Sequence, residues 1–159
     1  MKQIFIILIL TTIWCCIVAM TNQDKYVDPT GTYNLESKTT KKGDDVFGYS
    51  GQIQVETLTA KKIVMIFYIN KGAPSYNSGS FADTLDYINN KTIYTDKSLD
   101  SSCVITFNFT EKGVTVDEKT EDYNFGCGFG HAVVANGFFK KTSSKKPILR
   151  DPKTGEDIK

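Results

Sequence analysis

From Gly31 onward the chain places its apolar side chains at every second position in short runs, and no stretch repeats them at the spacing of an amphipathic helix. Alternation of this kind sends successive side chains to opposite faces of a strand, so each run can bury one face and wet the other. Residues 31–37, 48–58, 62–70, 80–88, 92–95, 103–109, 114–118 and 132–140 read as eight strands, rich in β-branched and aromatic side chains. The third is almost continuously apolar, which suits a strand covered on both faces or central in its sheet.

The connections support an antiparallel meander. Thr59, Ala60 and Lys61 alone separate strands two and three, and Asn89-Asn90 supplies a tight turn with residues that tolerate positive φ. Lys41 to Asp45 reads as a polar turn, and Glu111-Lys112-Gly113 as a hairpin turn. The 71–79 connection is longer and dense in Gly, Pro, Ser and Asn around Tyr76. With no helix to cover a sheet face, the strands must bury their apolar faces on each other. The fold class is therefore all-β, a small antiparallel barrel of about eight strands, since closure removes exposed edges. A two-sheet sandwich is the alternative that periodicity leaves open.

The first 20 residues have the form of an export signal: Lys2 near the start, then an uncharged apolar run from Ile4 to Met20. Thr11, Thr12 and two cysteines interrupt a run already short for a membrane span of about 20 apolar residues. Cleavage is placed after Ala19, give or take about two residues. The alternative is lipidation of Cys16, which would tether the protein to a membrane, although Trp14 fits badly where small residues are wanted. The domain plan is thus a signal over 1–20, a linker over 21–30, the barrel over 31–141, and a polar, loosely ordered tail over 142–159.

Of 19 basic residues only Lys2 leaves with the signal, so 18 face 18 acidic ones in the mature chain. A neutral domain carries no electrostatic footprint for nucleic acid, and contact with membrane is expected only through a lipid on Cys16. The remaining 140 or so residues suit one core. Export leaves Cys103 and Cys127, which are expected to form one disulfide, contributing about 3 kcal/mol. The competing reading is a reactive thiol at Cys127.

Cys127-Gly128-Phe129-Gly130, followed by Val133, Ala135, Gly137 and Phe139, resembles the last strand of a group of small, largely uncharacterised exported bacterial proteins with a CGFG motif. An upstream cysteine in a run like CVITFNF completes the pattern, here Cys103. The resemblance spans roughly residues 78–147. The layout is more weakly similar to disulfide-linked barrels of the bacterial envelope that inhibit c-type lysozyme. Those carry a Ser-Gly-x-x-Tyr loop, whereas this chain offers Ser78-Gly79-Ser80-Phe81-Ala82 and Ser50-Gly51-Gln52-Ile53-Gln54, both without the tyrosine. The resemblance thus implies a protein partner, with a lysozyme as the concrete version, as an analogy and not as a transferred site.

Candidate binding residues are Tyr76 and Ser78 in the long loop, and Gly128, Phe129 and His131 around the CGFG turn. Each has a structural alternative: an ordinary surface loop, and glycines that let the backbone bend where a disulfide joins strands. His131 is the single histidine, so any histidine-dependent catalysis must run through it. An extended chain would hold it about 13 Å from Cys127 at ~3.3 Å per residue, too far for a nucleophile and base. It reads better as a half-exposed strand residue, and no catalytic residue is assigned.

One histidine and two paired cysteines give no metal site, and Asp44-Asp45 and Asp83–Asp86 lack the spacing of a calcium loop. Glu118, Glu121 and Asp122 read as a solvated turn. No cofactor is implied. The expected function is a non-enzymatic binding protein of the bacterial envelope. The rivals are a carrier barrel for a small apolar ligand, which Phe67, Phe107, Phe109 and Phe139 would tend to fill, and an enzyme centred on His131.

Overall fold

The computed structural model describes residues 25–151 and 154–158. The segment expected to be an export signal, its expected cleavage point and Cys16 lie outside these residues. Nine strands follow one another: β1 (Gly31–Leu35), β2 (Thr40–Lys42), β3 (Asp45–Thr59), β4 (Lys62–Gly72), β5 (Ser78–Asp86), β6 (Lys91–Tyr94), β7 (Val104–Thr110), β8 (Gly113–Lys119) and β9 (Gly137–Ser143). All pair antiparallel, and eight of them run in the order β5-β4-β3-β1-β9-β8-β7-β6, with β2 attached to β3. This is a barrel, closed where the first strand meets the last and incomplete between β5 and β6.

The alternation places one row of each strand inside. Tyr33, Ile53, Met65, Phe67, Phe107 and Phe139 are fully buried. Phe67 is the hub, with ring centroids 5.4–6.1 Å from those of Phe81, Phe107, Phe129 and Phe139. Rings at such distances, tilted or offset, add to the stabilisation that their burial already gives. Cys103, Ile105, Phe107 and Phe109 share the buried face as their spacing requires.

Four features depart from the sequence reading. The polar turn at 41–45 carries a short strand of its own, because Gly43 at φ 64° reverses the chain tightly enough for Lys42 to pair with Asp45. The run expected as one strand over 132–140 is a strand only from Gly137. Ala132, at φ 54°, bends the chain so that Val133 and Ala135 lie over the barrel end and are buried there. His131 is accordingly an exposed turn residue.

Glu118 lies on the inward row of β8, 2% exposed, and not in a solvated turn. The tail is not loose throughout: Leu149 is buried, Ile158 N donates to Leu149 O at 2.8 Å, and Lys146 pairs with Glu56 at 2.6 Å. It packs outside the barrel, where Ile66 of β4 shares a crevice with Arg150 and Gly155.

Candidate functional site

Strand directions sort the connections into two kinds. The turns at 60–61, 87–90 and 111–112 are tight and lie at one end, whereas 73–77, 95–103, 120–136 and the β2–β3 hairpin gather at the other. Long loops on a rigid barrel are where recognition sits, so this loop-rich mouth is the candidate site.

At its centre the β4–β5 loop and the CGFG segment are stitched together. Gly130 N donates to Ser78 O at 3.0 Å, and the carbonyl of His131 accepts from Asn77 Nδ2 at 2.9 Å and Lys71 Nζ at 3.1 Å. Tyr49 Oη donates to Ala132 O at 3.0 Å. On the other side Tyr76, itself left-handed at φ 52°, donates its hydroxyl to Asp45 Oδ1 at 2.8 Å and accepts from Val46 N at 3.2 Å. The bond to Asp45 is the main cause of a tyrosine hydroxyl held above its ordinary range. Tyr76 therefore ties the loop to the β2–β3 hairpin while the residue stays 44% exposed.

The disulfide anchors the mouth from beneath. Cys103 and Cys127 are bonded with their Cα atoms 5.0 Å apart, across a separation of 24 residues. Cys127 at φ 58° and Gly128 at φ 68° make the bend, and Gly128 lies so close to Leu99 that an added Cβ would fall 2.4 Å from its Cδ1. Asp100 holds this turn. Its Oδ2 accepts from Thr120 Oγ1 at 2.7 Å and Cys127 N at 3.1 Å, and its Oδ1 from Ser102 Oγ at 2.7 Å and Ser102 N at 2.9 Å. These bonds, that from the Ser102 hydroxyl first, hold its carboxyl far below the ordinary aspartate range. The Asp100 carboxylate and both sulfurs lie within 4.8 Å of one another. A disulfide offers no thiolate, and this carboxylate is already saturated, so the group is built for structure rather than metal binding.

The sequence candidates thus come together, in different roles. Tyr76, Ser78, Gly128 and His131 reach the surface of the mouth. Phe129, 7% exposed, turns inward over Gly79, where an added Cβ would lie 2.3 Å from its Cγ, and plugs the barrel end. The His131 ring packs on Phe125, 5.2 Å between centroids, and with Cys127 oxidised the pair contains no nucleophile.

Sequence reasoning passed over Phe125 and Tyr123, exposed at 66% and 46%, because an apolar residue in a loop carries no periodicity. Asp100 had a legible signal: aspartate two residues before serine is the pattern of a side chain capping its own turn. Glu118 had none. Its Oε2 accepts from Ala135 N at 2.6 Å, its backbone N donates to Asn136 Oδ1 at 2.6 Å, and Oε1 is buried without a hydrogen-bond partner among the described residues. Burial raises its carboxyl above the ordinary range against the Ala135 bond, and the charge of Asp100 adds to the rise.

Among the described residues no helix is long and apolar enough to cross a membrane, and the buried disulfide is compatible with an oxidising compartment. No protein-family model matches the chain, and neither a curated protein nor a solved structure shows significant similarity to it.

Proposed function

We propose that the protein is an exported, non-enzymatic binding protein that engages a protein partner through the loop-rich mouth, a lysozyme-type cell-wall hydrolase being the most concrete candidate. The observation that carries this reading is the exposed aromatic set of Phe47 at the start of β3 and Tyr76, Tyr123 and Phe125 on loops cross-linked by hydrogen bonds and a disulfide. Aromatic side chains on a backbone already fixed lose little entropy on binding, which is why such residues dominate interface energetics. The lysozyme version rests on the resemblance of the CGFG segment and the general layout. A carrier of apolar ligands is disfavoured by the rings that fill the interior around Phe67.

The test is a pull-down with residues 22–159 from a mixture of c-, g- and i-type lysozymes and envelope extract, read by mass spectrometry and by lysozyme turnover. The expected result is capture of a partner that Tyr76→Ala combined with Phe125→Ala weakens at least tenfold. Failure to bind or slow any lysozyme removes the lysozyme version, and retention of a partner by the double variant removes the mouth as its site.

A further inference from the structure

The β5–β6 hairpin begins to zip and stops. Asn89 and Asn90, at φ 52° and 58°, form the two-residue turn whose twist matches paired strands, and Ile88 and Lys91 exchange both backbone hydrogen bonds, at 2.9 and 3.0 Å. That register, continued, sets Asp86 opposite Ile93 and Thr84 opposite Thr95. Neither pair forms, and β5 and β6 are left as free edges at the two ends of the strand order.

The orientation of these edges follows from bonds on their far sides. Tyr87 N donates to Lys61 O and Phe109 N to Asn90 O, so alternation turns the backbone groups of Ser80, Ala82, Thr84 and Asp86 away from β4, and those of Ile93 and Thr95 away from β7. Among the described residues, only the Thr84 N–H in this set is met, by Asp83 Oδ1 at 2.7 Å. Between the edges lies a cleft of about 550 Å³, walled by Leu85, Ile88 and Ile93 with Lys62 and Lys91 at its rim. Thr92 lines it too, 1% exposed, with a hydroxyl that finds no hydrogen-bond partner among the described residues. Asp83 is the fourth observation. It stands on the inward row of β5 between the buried Phe81 and Leu85, yet is exposed because the barrel is open there.

We infer that this seam is a second binding site, for an extended polypeptide segment of a partner that adds as a strand along β5. A row of alternating free N–H and C=O groups is complementary to an extended backbone, and strand addition to an open edge is an established recognition mode. The segment's apolar side chains cover Leu85, Ile88 and Ile93, a hydroxyl or amide of the segment satisfies Thr92, and a lysine or arginine meets Asp83, which has no cation partner among the described residues. Beyond the cleft the Phe81 and Tyr94 rings stack at 3.7 Å and limit the segment to small side chains where it crosses them.

The probes are seven-residue peptides of alternating threonine and valine with lysine or aspartate at the central position, titrated into the mature protein and followed by amide NMR and hydrogen exchange. The expected result is new protection at Ser80, Ala82 and Asp86, binding of the lysine peptide at least tenfold tighter than that of the aspartate peptide, and loss of binding on backbone N-methylation. Joining the edges by Asp86→Cys with Ile93→Cys should abolish binding while leaving the mouth's partner bound, which separates this site from the proposed function. Unchanged exchange at those amides, indifference to N-methylation, or equal binding by the cross-linked variant overturns the proposal. Protection of the same amides by self-association without peptide also overturns it, in favour of a second copy as occupant.

Discussion

β1 and β9 stand at opposite ends of the barrel's sequence and are paired, whereas β5 and β6 are joined by a two-residue turn and are not. At the closed junction Tyr33 faces Lys141 and Leu35 faces Phe139, and the Lys141 ammonium lies 5.4 Å from the centre of the Tyr33 ring. Gly31 there comes so close to Ser143 that a Cβ would fall 2.2 Å from its carbonyl oxygen. At the open seam a good turn begins a ladder that does not continue, although the Phe81 and Tyr94 rings stack behind it and only Asp83 on the inward row of β5 is exposed. Local turn chemistry thus starts a pairing, but cross-strand partners further along decide whether it continues.

The largest expected break in this contrast comes from unequal substitutions. Phe139→Ala, at the closed junction, should cost about 3–5 kcal/mol in denaturant unfolding, and Ile93→Thr, at the seam, less than about 0.5 kcal/mol. Comparable losses would mean that the seam is closed in solution. Next in size is the disulfide: Cys103→Ala with Cys127→Ala should lower stability by about 3 kcal/mol. Hydrogen exchange should then rise around 123–136 before it rises in β3 or β4, because the bridge ties the mouth and not the seam.

A smaller effect than the loss of the disulfide is expected at Glu118. Its carboxyl is harder to ionise in the fold than in the unfolded chain, above the usual 4.5, so the folded state holds the extra proton and stability falls as pH rises through that window. Glu118→Gln should therefore raise the denaturant midpoint at neutral pH and leave it nearly unchanged at pH 4. A parallel pH profile for the two proteins would show that Glu118 carries no such cost.

Much of the barrel was legible because a period of two is a local property: Ile105, Phe107 and Phe109 had to share a face wherever that face went. The disulfide was legible by elimination of its alternatives. The Val133-to-Phe139 alternation misled, since Ala132 takes a left-handed bend that residue type does not announce, and half the run became a cover for the barrel end. Glu118 was misplaced for a related reason. Next to Lys119 and Glu121 it reads as surface, and only its strand register, with Ile105 opposite, turns it inward.

The sequence by itself determined an all-β chain, most of its strands and their buried faces, and the Cys103–Cys127 disulfide, because alternation, turn residues and cysteine number act over a few positions. The tertiary structure alone decided that β1 closes on β9, that β5 and β6 stay apart, and that the CGFG segment meets the Tyr76 loop at one mouth. Those outcomes depend on which faces are filled when distant strands compete for the same core, and no short window of sequence records that competition.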